Sequence, residues 1–273
     1  QLFICNWSFK RIIIFKIVCK MNKIIGFLVV INCLFCFSQE KYAQKISYAL
    51  NVKVSENNHI NEEMVLLLNQ NESVYTSQNK IKNDSVKRYY LINKDLQGFQ
   101  SYILNNDKKN LINYFIWKKS NDYIYQINSG LKIVQYKSSL PQLNWQIISN
   151  SSEEILGYKV QKAETVYEGK KYYAWFSTEI PINNGPFVFN GLPGLILKIQ
   201  NEDSTYVITV KAIKNESNLF PELEKGKKVI ETKKENFYKT IEGTMKEVQT
   251  MAADEQTKKL MNKKIKQYLD AKF

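Results

Sequence analysis

The single histidine, His59, lies among Glu56, Asn57, Asn58, Glu62 and Glu63, where an imidazole and carboxylates stand close enough in sequence to hold a metal. One imidazole without thiols serves zinc or copper poorly. An exposed turn is the simpler reading, and no metal site or cofactor is expected. A Ser-His-Asp triad would need the same His59, and no Gly-x-Ser-x-Gly elbow accompanies it. The acid pairs Glu153-Glu154 and Glu202-Asp203 have the character of solvated turns. Neither a phosphate-binding glycine loop nor a dinucleotide fingerprint occurs. No catalytic residue is nominated, and a hydrolase is a disfavoured alternative to binding.

Aromatic chemistry is more plentiful. Tyr89, Tyr90, Tyr123, Tyr125, Tyr172 and Tyr173 have faces suited to stacking on sugars and hydroxyls able to hydrogen-bond, although tyrosine is also a strand former. The densest stretch runs Tyr173-Ala174-Trp175-Phe176, then Pro181, Gly185-Pro186-Phe187, Phe189 and Gly191-Leu192-Pro193-Gly194-Leu195-Ile196. Its functional reading is a preformed loop presenting Trp175, Phe176, Phe187 and Phe189 to a ligand or partner. Its structural reading is a rigid turn that closes a sheet. Pro193 fixes φ and Gly194 can take positive φ, which suits the centre of a type II turn feeding Leu195 into a strand. Gly185 and Gly191 permit close backbone approach, while Pro181 and Pro186 punctuate the loop.

The elements that must hold these residues are mainly β. Ile46, Tyr48, Leu50, Val52 and Val54 alternate with Lys45, Ser47, Ala49, Asn51 and Lys53, the mark of a half-buried strand. Similar segments recur at 64–68, 86–92, 99–104, 111–117, 123–127, 131–136, 145–148, 158–167, 172–176, 195–199 and 206–213. Asn-, Asp-, Ser- and Gly-rich clusters such as 105–107 and 128–130 separate them, and 167–171 reads as a hairpin turn. Roughly a dozen strands predict a mainly β (α+β) fold, a large curved antiparallel sheet, open barrel or sandwich. Beyond Pro221 the composition turns to Lys, Glu and Gln. Phe237, Ile241, Met245 and Val248 recur at helical spacing, as do Leu260, Met261, Ile265, Tyr268 and Leu269. A basic helical tail packed on the domain is expected. Lys258, Lys259, Lys263, Lys264 and Lys266 offer the alternative of contact with a membrane surface.

The first methionine is Met21, followed by Asn22-Lys23 and an apolar run from Ile24 to Phe37, with Cys36 and Ser38 set for cleavage before Gln39. That layout is a signal peptide at 21–38, with 1–20 read as an upstream extension. The run is shorter than the roughly 20 residues a spanning helix needs. All four cysteines precede Gln39. The mature chain would comprise a β-rich domain at 39–220 and the helical tail at 221–273. Five basic residues and no acidic one precede Gln39, so the formal charge falls from +13 to +8 on processing. A basic surface on an exported protein suits anionic lipid, lipopolysaccharide or polysaccharide, or simply keeps the protein soluble, and nucleic acid is not an expected partner.

The ordered set Tyr173-Ala174-Trp175-Phe176, Glu179-Ile180-Pro181-Ile182, Gly185-Pro186 and Gly191-Leu192-Pro193-Gly194-Leu195-Ile196 resembles the GLPGLI family of uncharacterised bacterial envelope proteins. Asn71-Glu72-Ser73-Val74-Tyr75, and Trp145 followed by Ile155-Leu156-Gly157-Tyr158-Lys159-Val160-Gln161-Lys162-Ala163, resemble its other blocks, over about residues 46 to 213. Val160 stands where members often carry cysteine, and the chain ends at Phe273 without an asparagine-proline ending. The resemblance implies a periplasmic or outer-membrane-associated location and transfers no catalytic residue. The expected function is non-enzymatic binding of an envelope protein or of a hydrophobic or anionic ligand. A half-barrel carrier of a hydrophobic ligand is the alternative.

Overall fold

The computed structural model describes residues 42–56, 58–98, 101–102, 112–129, 132–149, 153–217 and 227–250. The chain divides into two compact units, Gln1–Tyr42 and Ala43–Phe273, and all described residues but Tyr42 belong to the second. The expected signal peptide, its cleavage point and the helical positions at 260–269 lie outside the described residues.

Alternation organises a 12-stranded curved sheet that stays open. Its strands in chain order are β1 (Tyr42–Ser55), β2 (Asn58–Leu68), β3 (Glu72–Ser77), β4 (Tyr114–Lys119), β5 (Asp122–Asn128), β6 (Lys132–Ser139), β7 (Gln146–Ser149), β10 (Gln161–Tyr167), β11 (Lys170–Ser177), β12 (Leu195–Asn201), β13 (Tyr206–Ser217) and β14 (Lys228–Glu231). A separate two-stranded hairpin joins β8 (Glu154–Ile155) to β9 (Tyr158–Lys159). The spatial order is β14-β6-β5-β4-β3-β2-β1-β13-β12-β11-β10-β7. The sequence pattern anticipates the antiparallel meander; it does not anticipate β14, which pairs parallel to β6 in a region that reads as helix. The hairpin turn at 167–171 forms with Glu168 at φ +48° and Gly169 at φ +76°, the two positive values of a turn whose twist matches its strands.

One face of the sheet, here the inner face, carries the rank Ile46, Leu66, Tyr75, Ile116, Tyr125 and Tyr136 across six strands. Beside it run Tyr48 with Met64 and Ser77, and Leu68 with Ser73, Lys118 and Tyr123. On the other half of the sheet the same face carries Ala163, Ala174, Ile199 and Ile208. The segment between β11 and β12 crosses this face, with Phe187 against Tyr114 and Tyr125 and Phe189 against Tyr172. Helix α2 (Phe237–Thr250) closes it from the other side, with the Phe237 ring 5.1 Å from Tyr125 and 4.8 Å from Tyr136. Of the positions predicted by helical spacing, Phe237 and Ile241 are buried and Met245 is half-buried. Ion pairs of Lys132 with Glu247 and of Lys234 with Glu168 tie this region to the sheet.

The expected strand at 86–92 is instead the second half of helix α1 (Gln78–Ile92). Ser77 caps it, its Oγ accepting the Lys80 N–H at 3.2 Å, and Lys80 pairs with Asp84 one turn on at 2.8 Å. Val86, Tyr89 and Tyr90 are poor helix formers by propensity, but the cap and the apolar outer surface of the sheet outweigh that preference. Helix α1 lies on the outer face, where the Lys80 ammonium sits 4.4 Å from the Phe115 ring centre. Of the strand expected at 99–104, the described residues Ser101 and Tyr102 are helical.

Candidate functional site

Three groupings of side chains merit weighing for function: the crossing segment 178–194, the outer face of β10 to β12, and the polar groups buried on the inner face.

The crossing segment is a plug. Trp175, Phe176, Phe187 and Phe189 are only 6, 0, 7 and 1% exposed, so the aromatic residues expected at a presented surface are core residues. Burial fits the structural reading of the motif. Phe187 adopts φ +55°, which costs a bulky residue about 1 to 2 kcal/mol and is held by its ring contacts. The segment is pinned at both ends. Lys118 of β4 donates from Nζ to the Gly185 carbonyl at 2.8 Å and to Asn184 Oδ1. Asn184 in turn donates to Ser73 Oγ at 3.0 Å, and Trp145 donates from its indole to the Asn190 carbonyl at 2.7 Å. Lys118 has no carboxylate within 4.0 Å among the described residues, and burial pulls its pKa down to about 7. In the sequence, a lysine between Trp117 and Lys119 reads as solvated; only its place in the inner-face alternation of β4 signals burial.

The glycines exchange their expected roles. Gly191 carries the positive φ, +95°, whereas Gly194 is not in that region. A Cβ at Gly194 would stand 2.1 Å from the Ser177 carbonyl oxygen, so this position needs glycine for close approach of β11 to β12. The type II turn with Gly194 at positive φ is therefore replaced by a close contact. Gly185 has the expected close approach, to Ile196. Pro181 and Pro193 are exposed at the surface of the segment, while Pro186, Leu192, Leu195 and Ile196 are buried.

On the outer face the register sets Trp175 between Lys162 and Lys198. The Lys198 ammonium is 4.2 Å from the Trp175 ring centre; that of Lys162 is 5.1 Å from it and 4.4 Å from Tyr173. Glu153 accepts the indole N–H at 2.8 Å. Neither lysine has a carboxylate within 4.0 Å among the described residues, whereas the neighbouring Glu164 faces Lys171 at 3.6 Å. The arrangement holds two half-exposed cations on a rigid aromatic base.

On the inner face, Glu62 is buried; it accepts hydrogen bonds from Ser77 and, at 3.2 Å, from Asn79. Burial raises its pKa despite those bonds. Tyr48 donates to the Ile196 carbonyl at 2.9 Å, while the hydroxyls of Tyr75 and Tyr114 are buried without a protein partner among the described residues. Burial pushes all three phenols far up, with neighbouring phenols adding to the shift at Tyr75, and Tyr238 and then Glu62 adding to it at Tyr114. His59 is exposed on β2 opposite Lys53, on the face away from Glu62. The two do not converge, and no group of three metal-ligating side chains forms among the described residues.

A family model described as a protein of unknown function (Porph_ging) matches residues 103–198, which contain the crossing segment and most of the Trp175 sheet. No curated protein matches the chain. Among solved structures the fold is similar to PNGF-II in two crystal forms, with TM-scores of 0.51 and 0.52 at 16 and 17% identity. Both alignments cover 75% of this chain but only 34 and 33% of PNGF-II, so this chain spans about a third of that protein's length. A LolA superfamily protein from Nitrosomonas europaea aligns over 74% of this chain and 91% of its own at 10% identity, with a TM-score of 0.26. The PNGF-II likeness is one of fold alone. Among the described residues, no helix is long and apolar enough to cross a membrane.

Proposed function

We propose that this is an exported, non-catalytic binding protein of the cell envelope, of the GLPGLI family, that engages an acidic ligand or partner through the outer face around Trp175. Residues 21–38 act as its signal peptide and cleavage falls near Ser38-Gln39. The observation that carries this reading is the rank Lys162, Trp175, Lys198: two cations without carboxylate partners among the described residues, fixed over one indole. Lysines on strands two positions apart have backbones about 10 Å apart, a spacing suited to successive acidic groups on an extended polymer. The chain's excess of basic residues steers such a ligand toward it. In this account Phe176, Phe187 and Phe189 act indirectly, by making the sheet rigid beneath that surface.

The test is binding of a polyuronate, against neutral dextran as control, by wild type and by Lys162→Gln/Lys198→Gln. Saturable binding that weakens with salt and falls at least tenfold in the double variant supports the proposal. Equal binding by both proteins, or none by wild type, removes it. A second reading, a carrier holding an apolar ligand against the inner face, is favoured by the buried hydroxyls of Tyr75 and Tyr114.

A further inference from the structure

The inner face is lined mainly by aliphatic and aromatic side chains; its buried Lys118, Glu62, Ser73 and Ser77 are hydrogen-bonded, which makes two of its tyrosine hydroxyls conspicuous. Tyr75 and Tyr114 are 0 and 2% exposed, their rings 6.5 Å apart on the adjacent strands β3 and β4, and neither hydroxyl meets a protein partner among the described residues. Tyr48, whose ring is 6.4 Å from that of Tyr75, turns its hydroxyl to the Ile196 carbonyl of β12. Around them stand Ile46, Leu66, Ile116, Ile127 and Ile196, all fully buried. A hydroxyl taken out of water without an acceptor is costly, and buried hydroxyls in native proteins nearly always find one. Two such donors side by side in an apolar wall have the composition of a ligand site: apolar lining with a few convergent polar groups that fix one end of the ligand.

Glu62 narrows the class of ligand. It is buried on the same face, held by Ser77 and Asn79, with no lysine or arginine within 4.0 Å among the described residues. A free carboxylate or phosphate brought beside it would meet like charge in a low-dielectric setting. An uncharged carbonyl can accept from both phenols, and a hydroxyl on the same ligand can donate to Glu62. We propose that the inner face binds a neutral acyl ester, its carbonyl accepting hydrogen bonds from Tyr75 and Tyr114, a free hydroxyl facing Glu62, and its chain lying along the aliphatic wall. Entry requires the crossing segment to lift. The positive φ of Phe187 stores strain in favour of that movement, and the Lys118 bonds to Asn184 and Gly185 oppose it.

The experiment uses delipidated full chain and a long-chain monoacylglycerol as probe, read by native mass spectrometry and by thermal unfolding. Wild type is expected to take up one molecule with a rise in Tm. Tyr75→Phe/Tyr114→Phe is expected to raise the Tm of the ligand-free protein, because two unpaired donors are removed, and to weaken binding by about tenfold per hydroxyl. Tyr123→Phe, whose hydroxyl faces Tyr136 at 3.4 Å, is the control and should bind as wild type does. The free fatty acid at neutral pH should bind more weakly than the ester. The proposal is overturned if wild type takes up no monoacylglycerol, or if binding is unchanged in the double variant. It is equally overturned if that variant unfolds at lower temperature without ligand, since the hydroxyls would then be satisfied by buried water. Loss of polyuronate binding in the Lys162 and Lys198 variants leaves this result untouched, so the two surfaces are tested separately.

Discussion

A methyl group added at Gly194 would stand 2.1 Å from the Ser177 carbonyl oxygen, 2.6 Å from the Ser177 carbonyl carbon and 3.0 Å from the Thr178 nitrogen. All three are backbone atoms, so no rotamer change relieves the contact; β11 and β12 must separate by about an ångström. That separation strikes where Ser177 pairs with Leu195 and Phe176 with Ile196. Overpacking of a tight core costs about 1 to 3 kcal/mol, and two weakened backbone hydrogen bonds add about 1 kcal/mol each. Gly194→Ala should therefore lose about 4 kcal/mol and lower Tm by about 8 to 16 °C for a domain of this size. At Gly191 the corresponding Cβ would be 3.5 Å from the Trp145 ring, an ordinary contact, and only the positive φ is penalised, at about 1 to 2 kcal/mol. Asparagine separates the two explanations because it tolerates positive φ better than alanine but is larger. Gly191→Asn should be milder than Gly191→Ala, while Gly194→Asn should be at least as damaging as Gly194→Ala. Thermal and urea unfolding of the four variants decide the matter. A Gly194→Ala protein within 1 kcal/mol of wild type, or a Gly194→Asn protein more stable than Gly194→Ala, would refute the close-contact account.

Three further outcomes follow from buried groups. Folded Lys118 releases its proton near pH 7, whereas the unfolded chain holds it to its ordinary value of 10.5. The unfolded state therefore binds more protons between those values, and stability should rise with pH across that window as a penalty of roughly 5 kcal/mol is relieved. Lys118→Met should flatten that part of a urea-unfolding profile. Glu62 is shifted the other way, above its ordinary 4.5, so the folded state holds its proton longer and stability falls as pH rises through the window above 4.5. Glu62→Gln, which keeps an acceptor for Ser77 and Asn79, should remove that fall in the same assay. Phe237→Ala should cost about 3 to 5 kcal/mol, seen as a lowered Tm, because its ring meets both Tyr125 and Tyr136.

Alternation made most of the sheet readable: the inner rank from Ile46 through Tyr125 consists of residues whose neighbours in sequence are polar or point to the other face. The pattern failed where a cap decided the structure, as Ser77 did for Val86 and Tyr90, and where pairing was nonlocal, as for β14 beside β6. The motif around Gly191 to Ile196 was legible as a fixed turn, but which glycine served φ and which served contact depended on Ser177, seventeen residues before Gly194. Of the four aromatic residues nominated for binding, Phe187 and Phe189 are buried because they ride a segment that folds inward over the sheet, and Trp175 and Phe176 because they lie within β11. Only Trp175 belongs to the outer face, and its lysine neighbours come from strands on either side, a relation that linear spacing does not encode. Tyr75 and Tyr114 read as ordinary strand residues, and the lack of a partner for their hydroxyls among the described residues emerges only from packing.

The central claim, that the outer face around Trp175 is the binding surface, is tested most directly by titrating polyuronate into wild type and Lys162→Gln/Lys198→Gln under one salt condition by calorimetry. Both proteins should remain folded, since replacing the half-exposed lysines removes only their contacts with the Trp175 and Tyr173 rings, about 0.5 to 1 kcal/mol each. The account predicts saturable binding to wild type and at least a tenfold loss in the variant. Equal affinity in the two folded proteins would contradict it.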